Sequence, residues 1–383
     1  VLMVVPLRDI RVVELCTVAS GPYCGMLLAD LGADVVKVEQ PGTGDTMRHW
    51  PPITDGFSDN FASLNRNKRS VALDLKDPED NARARRLIAQ ADVVIENSRP
   101  GVMAKLGLGY DTVSAEQPRL VYASISAFGQ TGPRAREGGF DLTIQAMSGI
   151  ISVTGEPGGA PVKCGVPISD FATGLYAALA VVGALREVDR SGRGTHIDVS
   201  MLGSSLAIAA LQVSEYFGKG DDPAKLGSAH PRNAPYQVFA ASDGHFAMAA
   251  GNDKLWQATC TALDRPDLAQ DGRFASTASR AQHQDELRAL LEAQFARHTT
   301  TELIALFEQA GVPCAPVNSY SQALADQQVD HMKWVSELDL PGGRTTRTFG
   351  SPLRFGGEAP KIRRRPPALG EHNAEVLAEL GEG

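Results

Sequence analysis

The chain has 383 residues, a formal net charge of −8, a pI near 5.6 and five cysteines. This acidic balance leaves no electrostatic footprint for a polyanion, so nucleic acid is not an expected partner. An odd cysteine count without a C-x-x-C pair argues against disulfides or zinc and for thiols in a reducing cytoplasm. No segment has signal-peptide form and no apolar run reads as membrane-spanning, so no membrane partner is expected.

Length and composition fit a globular chain of about two domains. Ile10–Leu15 reads as a strand, Pro22–Leu31 as a helix closed by Gly32, and Asp34–Glu39 as a second strand. Strands are predicted at Ser70–Leu75, Asp92–Glu96 and Leu120–Ser126, with a helix at Pro78–Gln90. This alternation predicts an α/β class: a Rossmann-like, doubly wound large domain with ligands beyond the carboxyl ends of its strands. The loop Cys16–Pro22 lacks the G-x-G-x-x-G spacing of a dinucleotide site, and Gly42-Thr-Gly44-Asp45 reads as a turn. The basic residues Arg66, Lys68, Arg69, Lys76, Arg99 and Lys105 collect near predicted strand ends. They read either as a solvated face or as a cradle for nucleotide phosphates.

Residues 164–186 organise the chain. An apolar run ends at Ser169-Asp170, and Leu175, Leu179, Val182 and Leu185 then recur at the spacing of one buried helix face. Asp170 therefore reads as an N-cap, or as a carboxylate kept ionised at a helix start, as a carboxylate nucleophile requires. Beyond it come a turn at 191–194, a strand at His196–Val199, a long apolar helix at 201–217 and a linker at 218–231. A second, smaller α/β unit follows, with strands at Tyr236–Ala240 and His245–Ala249 and helices near Lys254–Leu263, Arg280–Arg297 and Thr301–Ala310. The chain closes with a helix at Glu371–Leu380. The expected domains are 1–203 (large, N-terminal part), 204–224 (linker helix and loop), 225–318 (small) and 319–383 (return to the large domain). Neither H-E-x-x-H nor a serine flanked by glycines at −2 and +2 occurs, so no metal site or hydrolase elbow is expected. What remains is acidic: Asp170, and Asp141 after Gly138-Gly139-Phe140.

Several blocks, in order along the chain, resemble the class III CoA-transferases (CaiB/BaiF type), which include formyl and succinyl-CoA transferases and racemase relatives. The blocks are 28–39, 65–70, 96–102 (Glu-Asn-Ser-Arg-Pro-Gly-Val), 129–133, Gly-Val-Pro-Ile-Ser-Asp (165–170), 235–237, 251–253 and 369–372. The resemblance implies that Asp170 is the nucleophile, passing through aspartyl anhydride and aspartyl-CoA thioester intermediates as CoA moves from an acyl-CoA donor, succinyl-CoA by preference, to a small carboxylic acid. CoA is then a substrate, with no tightly bound cofactor. By position, CoA contacts would come from Val18, Ala19, Gln40, Leu73, Lys76, Asn97, Ser98, Arg99, Lys105 and Phe140, and substrate contacts from Asp141, His230, Arg232, Gly251 and Asn252. Gln40 stands where several relatives carry arginine, and an amide cannot replace that ionic pairing. The racemase branch needs a histidine where this chain has Phe140, which cannot take up a proton. Racemisation and acyl-CoA binding without turnover are the alternatives. The resemblance also implies an interlocked homodimer.

Overall fold

Short runs of valine with one or two partners per face produce the first sheet. In the computed structural model, which describes residues 4–382, six parallel strands form: β1 (Arg11–Leu15), β2 (Asp34–Glu39), β3 (Lys68–Ala72), β4 (Val93–Glu96), β5 (Val121–Ser126) and β6 (Thr195–Ser200). Their order is β3-β2-β1-β4-β5-β6, so the chain reverses direction of growth between β1 and β4. Successive side chains serve opposite faces: Val12, Val35, Val93 and Val121 enter one core, and Val13, Val36, Val71 and Val94 the other. Helix Pro78–Ala89 and Val376 of the terminal helix Asn373–Glu379 complete the second core.

Two compact units emerge, one comprising residues 1–150, 163–221 and 328–383, the other 151–162 and 222–327. The segment 151–162, read above as part of the large domain, thus belongs to the second unit. That unit contains an antiparallel sheet, order β9-β8-β7, made of β7 (Tyr236–Ala240), β8 (His245–Ala249) and β9 (Cys314–Pro316). Phe239, Phe246, Trp256, Phe274, Phe295 and Phe307 fill its core. The first unit also carries a hairpin of β10 (Val335–Leu340) and β11 (Arg344–Phe349).

Several expectations change. The first helix begins earlier, at Ser20, because proline is tolerated in a first turn where its N–H has no partner to lose. The apolar stretch 201–217 is two helices, Met201–Ile208 and Ala210–Lys219. The helix predicted from Arg280 starts at Gln284, and Arg280 lies in the separate helix Thr277–Gln282. Its guanidinium is fully buried on Ala234 O, Phe274 O and the Asp253 carboxylate.

The basic run after residue 65 is neither a solvated face nor a cradle in its first half. Strand β3 begins at Lys68, two residues before the predicted start, and carries its charges inward. Lys68 Nζ lies 2.8 Å from Glu14, Arg66 pairs with Asp30 at 2.6 Å, and Arg69 pairs with Asp34 and Glu379. Buried charges persist when paired, which periodicity alone does not reveal.

The long helix Ile168–Ser191 also corrects the pattern reading. Its buried face is Ala172, Ala177, Ala178, Val181, Leu185 and Val188, whereas Leu175 (52%), Leu179 (68%) and Val182 (38%) are exposed. Small residues face inward because the helix lies close against Ser20–Asp30. A Cβ on Gly174 would meet Ser20 O at 2.7 Å, so any larger residue there would force the two helices apart. By length and composition this helix is also apolar enough to cross a membrane, contrary to the expectation that no run approaches that length.

Candidate active site

In a parallel sheet of this order, loops on either side of the reversal splay apart and leave a crevice at the carboxyl ends of the strands. The loop after β1 and the loop after β4 flank it. A cavity of about 200 Å³ is lined there by Thr17, Val18, Ala19, Ser20, Asn97, Ser98, Arg99, Gly139, Phe140 and Asp170, among others. A second cavity, about 240 Å³, lies beyond β2 and β3 and is lined by Gln40, Leu73, Asp74 and Lys76 together with Thr17 and Ser98. The two share Thr17 and Ser98, so the binding residues expected from separate loops do converge. Lys105 is the exception: it sits exposed at the end of the short helix Val102–Lys105 and lines neither cavity.

Asp170 is not an N-cap. The helix starts at Ile168 with Pro167 at the cap position, which offers no side-chain acceptor. The missing acceptor comes from Asp141: Ser169 N–H donates to its Oδ1 at 3.0 Å, and Gln145 Nε2 donates to its Oδ2 at 2.7 Å. Gln145 is itself buried, and its Oε1 accepts the Cys164 N–H at 2.9 Å. Both ends of the segment 164–169 are therefore tied to the helix Asp141–Met147, which aims Asp170 at the cavity.

The Asp170 carboxyl is pushed up to about 6, first by burial and then by the neighbouring Asp141 charge, with a hydrogen bond from Ser20 working in the opposite direction. Near neutral pH the group is still mostly ionised, and among the described residues no ion pair engages it. Asp141→Asn removes the like charge while keeping the shape of the side chain. The acid limb of the rate profile is expected to move below pH 6, while kcat falls roughly tenfold or more because the amide holds Ser169 less firmly. A pH profile of kcat/KM for this variant checks both effects.

Sequence reasoning missed Ser20 and Glu96, although it named Asn97 and Phe140 as CoA contacts. Ser20 was not singled out, yet it lines the same cavity as Asp170. Glu96 ends β4 buried and accepts the Ser98 N–H at 2.8 Å; burial pushes its carboxyl up to about 7. Asn97 Oδ1 accepts the Thr17 N–H at 3.0 Å and its Nδ2 donates to Thr17 O at 2.8 Å, clasping the two loops across the crevice. A strand-ending acidic residue followed by Asn is the only local hint of this arrangement. Phe140 is 74% exposed beside the cavity.

The remaining expected substrate contacts lie in the second unit. His230 Nδ1 accepts the backbone N–H groups of Arg232 and Asn233. Burial and Arg232 hold the His230 imidazole below its usual range. Asn252 caps the helix Asp253–Ala262 by accepting the Leu255 N–H at 2.9 Å, and Gly251 packs where a Cβ would meet Asn233. No cluster of His, Cys, Asp or Glu suited to a metal ion occurs among the described residues.

Residues 7–373 match the family described as CoA-transferase family III. The chain belongs to that family. It is 40% identical over 382 residues to a succinate–glutarate CoA-transferase of Agrobacterium fabrum, covering 98% of this chain and 96% of the relative. It is 36% identical over 376 residues to succinyl-CoA:glutarate CoA-transferase of Mus musculus, covering 98% and 86% respectively. Among solved structures, a CaiB/BaiF family protein from Brucella suis superposes with a TM-score of 0.87 at 40% identity, covering 98% of this chain and 99% of that one. The protein is therefore a transferase of this family, acting on CoA thioesters, and it shares the α/β fold with a parallel central sheet.

Proposed function

We propose that the protein moves CoA from succinyl-CoA to a small dicarboxylate of glutarate's size, with Asp170 as the covalent nucleophile. The observation that carries this reading is the placement of an ionisable Asp170 on the wall of one cavity that shares Thr17 and Ser98 with a second. The relatives named for succinyl-CoA and glutarate supply the acids.

The Asp170 carboxylate attacks the thioester carbonyl, forming a succinyl-aspartyl anhydride and expelling CoA thiolate. The thiolate attacks the aspartyl carbonyl, releases succinate and leaves an aspartyl-CoA thioester. The acceptor carboxylate then attacks that carbonyl, giving a second anhydride and thiolate again. Thiolate attack on the acceptor's acyl carbon returns Asp170 and yields the new acyl-CoA. Each carboxylate attack depends on near-attack positioning, since a carboxylate is a weak nucleophile. Ser20, on the same cavity wall, is the hydroxyl we assign to steadying the aspartate charge between steps. Lys76, exposed at the rim of the second cavity, supplies charge for a phosphate of CoA.

Incubation with succinyl-CoA and glutarate should give glutaryl-CoA and succinate. Mass spectrometry of quenched enzyme should find a CoA adduct on the peptide containing Asp170. Solvent deuterium entering the acyl chain without transfer would instead favour a racemase, although Phe140 offers no proton-carrying group.

We also propose that a second copy of the chain covers the stripe formed by Leu175, Leu179 and Val182 on Ile168–Ser191. Contiguous apolar side chains on one helix face are costly to leave in water. Leu179→Arg should shift the sedimentation coefficient from dimer to monomer; an unchanged dimer would place the interface elsewhere.

A further inference from the structure

The turn Gly42-Thr-Gly44-Asp45 has a use that its sequence conceals. Gly44 adopts φ +64 and donates its N–H to Gln40 O at 2.8 Å, folding the chain back so that the Asp45 N–H meets Glu39 at 3.0 Å. Asp45 is thereby buried to 1% exposure, and its carboxylate reaches across to the loop after β1. There it accepts the Val18 N–H at 3.0 and 3.2 Å.

Val18 has φ +67, a left-handed conformation that a β-branched residue strongly disfavours. Such a residue stays there only when its surroundings over-determine it. They do so here: Lys37 Nζ donates to Cys16 O at 2.7 Å, Asn97 holds both the N–H and the carbonyl of Thr17, and Asp45 holds Val18. Lys37, with no exposed surface, ties this arrangement together. Its Nζ lies 3.0 Å from Asp45 and 2.9 Å from Glu14, whose other oxygen is 2.8 Å from Lys68. Two residues beyond Val18, Ser20 lines the same cavity as Asp170.

We propose that Asp45 is a positioning residue for CoA transfer: anchored by buried Lys37, it holds Val18 in the left-handed conformation that keeps Ser20 beside Asp170 on the cavity wall. This rests on the reaction assigned above. The loop is set before substrate arrives, so no reorganisation is needed when charge develops on the aspartate.

The test measures succinyl-CoA-to-glutarate transfer in a cycle of Asp45→Asn and Val18→Gly. Asp45→Asn is expected to lower kcat at least about tenfold with KM for succinyl-CoA changed less than about threefold. Glycine occupies φ +67 without penalty, so with Val18→Gly in the same chain Asp45→Asn should cost no more than about threefold. An equal loss in both backgrounds would overturn the proposal, because a general weakening of the fold is indifferent to the residue at position 18. A second comparison leaves the ionic anchor intact: Val18→Gly should melt at a higher temperature than Val18→Ala, the reverse of the usual order. A higher melting temperature for Val18→Ala would equally overturn it. Absence of transfer by the parent chain would sink the assigned reaction, whereas the melting comparison reads the strained loop regardless of activity.

Discussion

Asp170→Asn and Asp170→Ala are each expected to lower kcat at least roughly a thousandfold, because neither side chain can form the anhydride. No CoA adduct should then be trapped on the peptide. In the parent, kcat/KM should fall as pH drops through about 6, where Asp170 takes up its proton and ceases to be a nucleophile. The same carboxyl is a stability liability. Its folded pKa lies above the unfolded value of 3.8, so between pH 4 and 6 the native chain holds a proton that the unfolded chain has released. Stability is therefore lost as pH rises through this window. Asp170→Asn should melt higher than the parent at pH 8, by an amount worth roughly 1–3 kcal/mol, with the gap closing near pH 4. Full activity in either variant would remove Asp170 from the chemistry.

Lys37→Met should produce the largest loss of stability. It strips the cation from Asp45 and from one oxygen of Glu14, leaving buried carboxylates without their partner. Burial works against the Lys37 charge, but Glu14, Asp45 and Glu39 outweigh it and hold the ammonium above the usual lysine range. Removing one member of a buried pair costs about 3–5 kcal/mol. A chain of this size should then melt roughly 4–6 °C lower. Thermal melts of variant and parent check this, and unchanged melting would mean that the buried network contributes little.

Much of the architecture is legible in one dimension. Asp34–Glu39, Tyr236–Ala240 and His245–Ala249 form strands with the predicted bounds, and alternation of strands with helices implied the parallel sheet. Local patterning determines these elements because backbone geometry repeats every two or 3.6 residues, and side chains must follow it. Asp170 was placed correctly at a helix start, but its cap acceptor could not be read, since Asp141 belongs to another element.

The face of Ile168–Ser191 turned inward was likewise invisible. Leucine spacing marks an apolar stripe, whereas the inner face is chosen by how closely a neighbouring helix must approach, and Gly174 permits that approach. Lys37, Lys68 and Asp45 look like surface residues in a list of letters. Only the folded chain, by bringing opposite charges together out of water, makes their burial affordable. Sequence by itself thus determined most strands of the parallel sheet, the family blocks and an aspartate at the start of a long helix. Tertiary structure alone decided which groups meet across loops, because hydrogen bonding and ion pairing depend on distance in space rather than on separation along the chain.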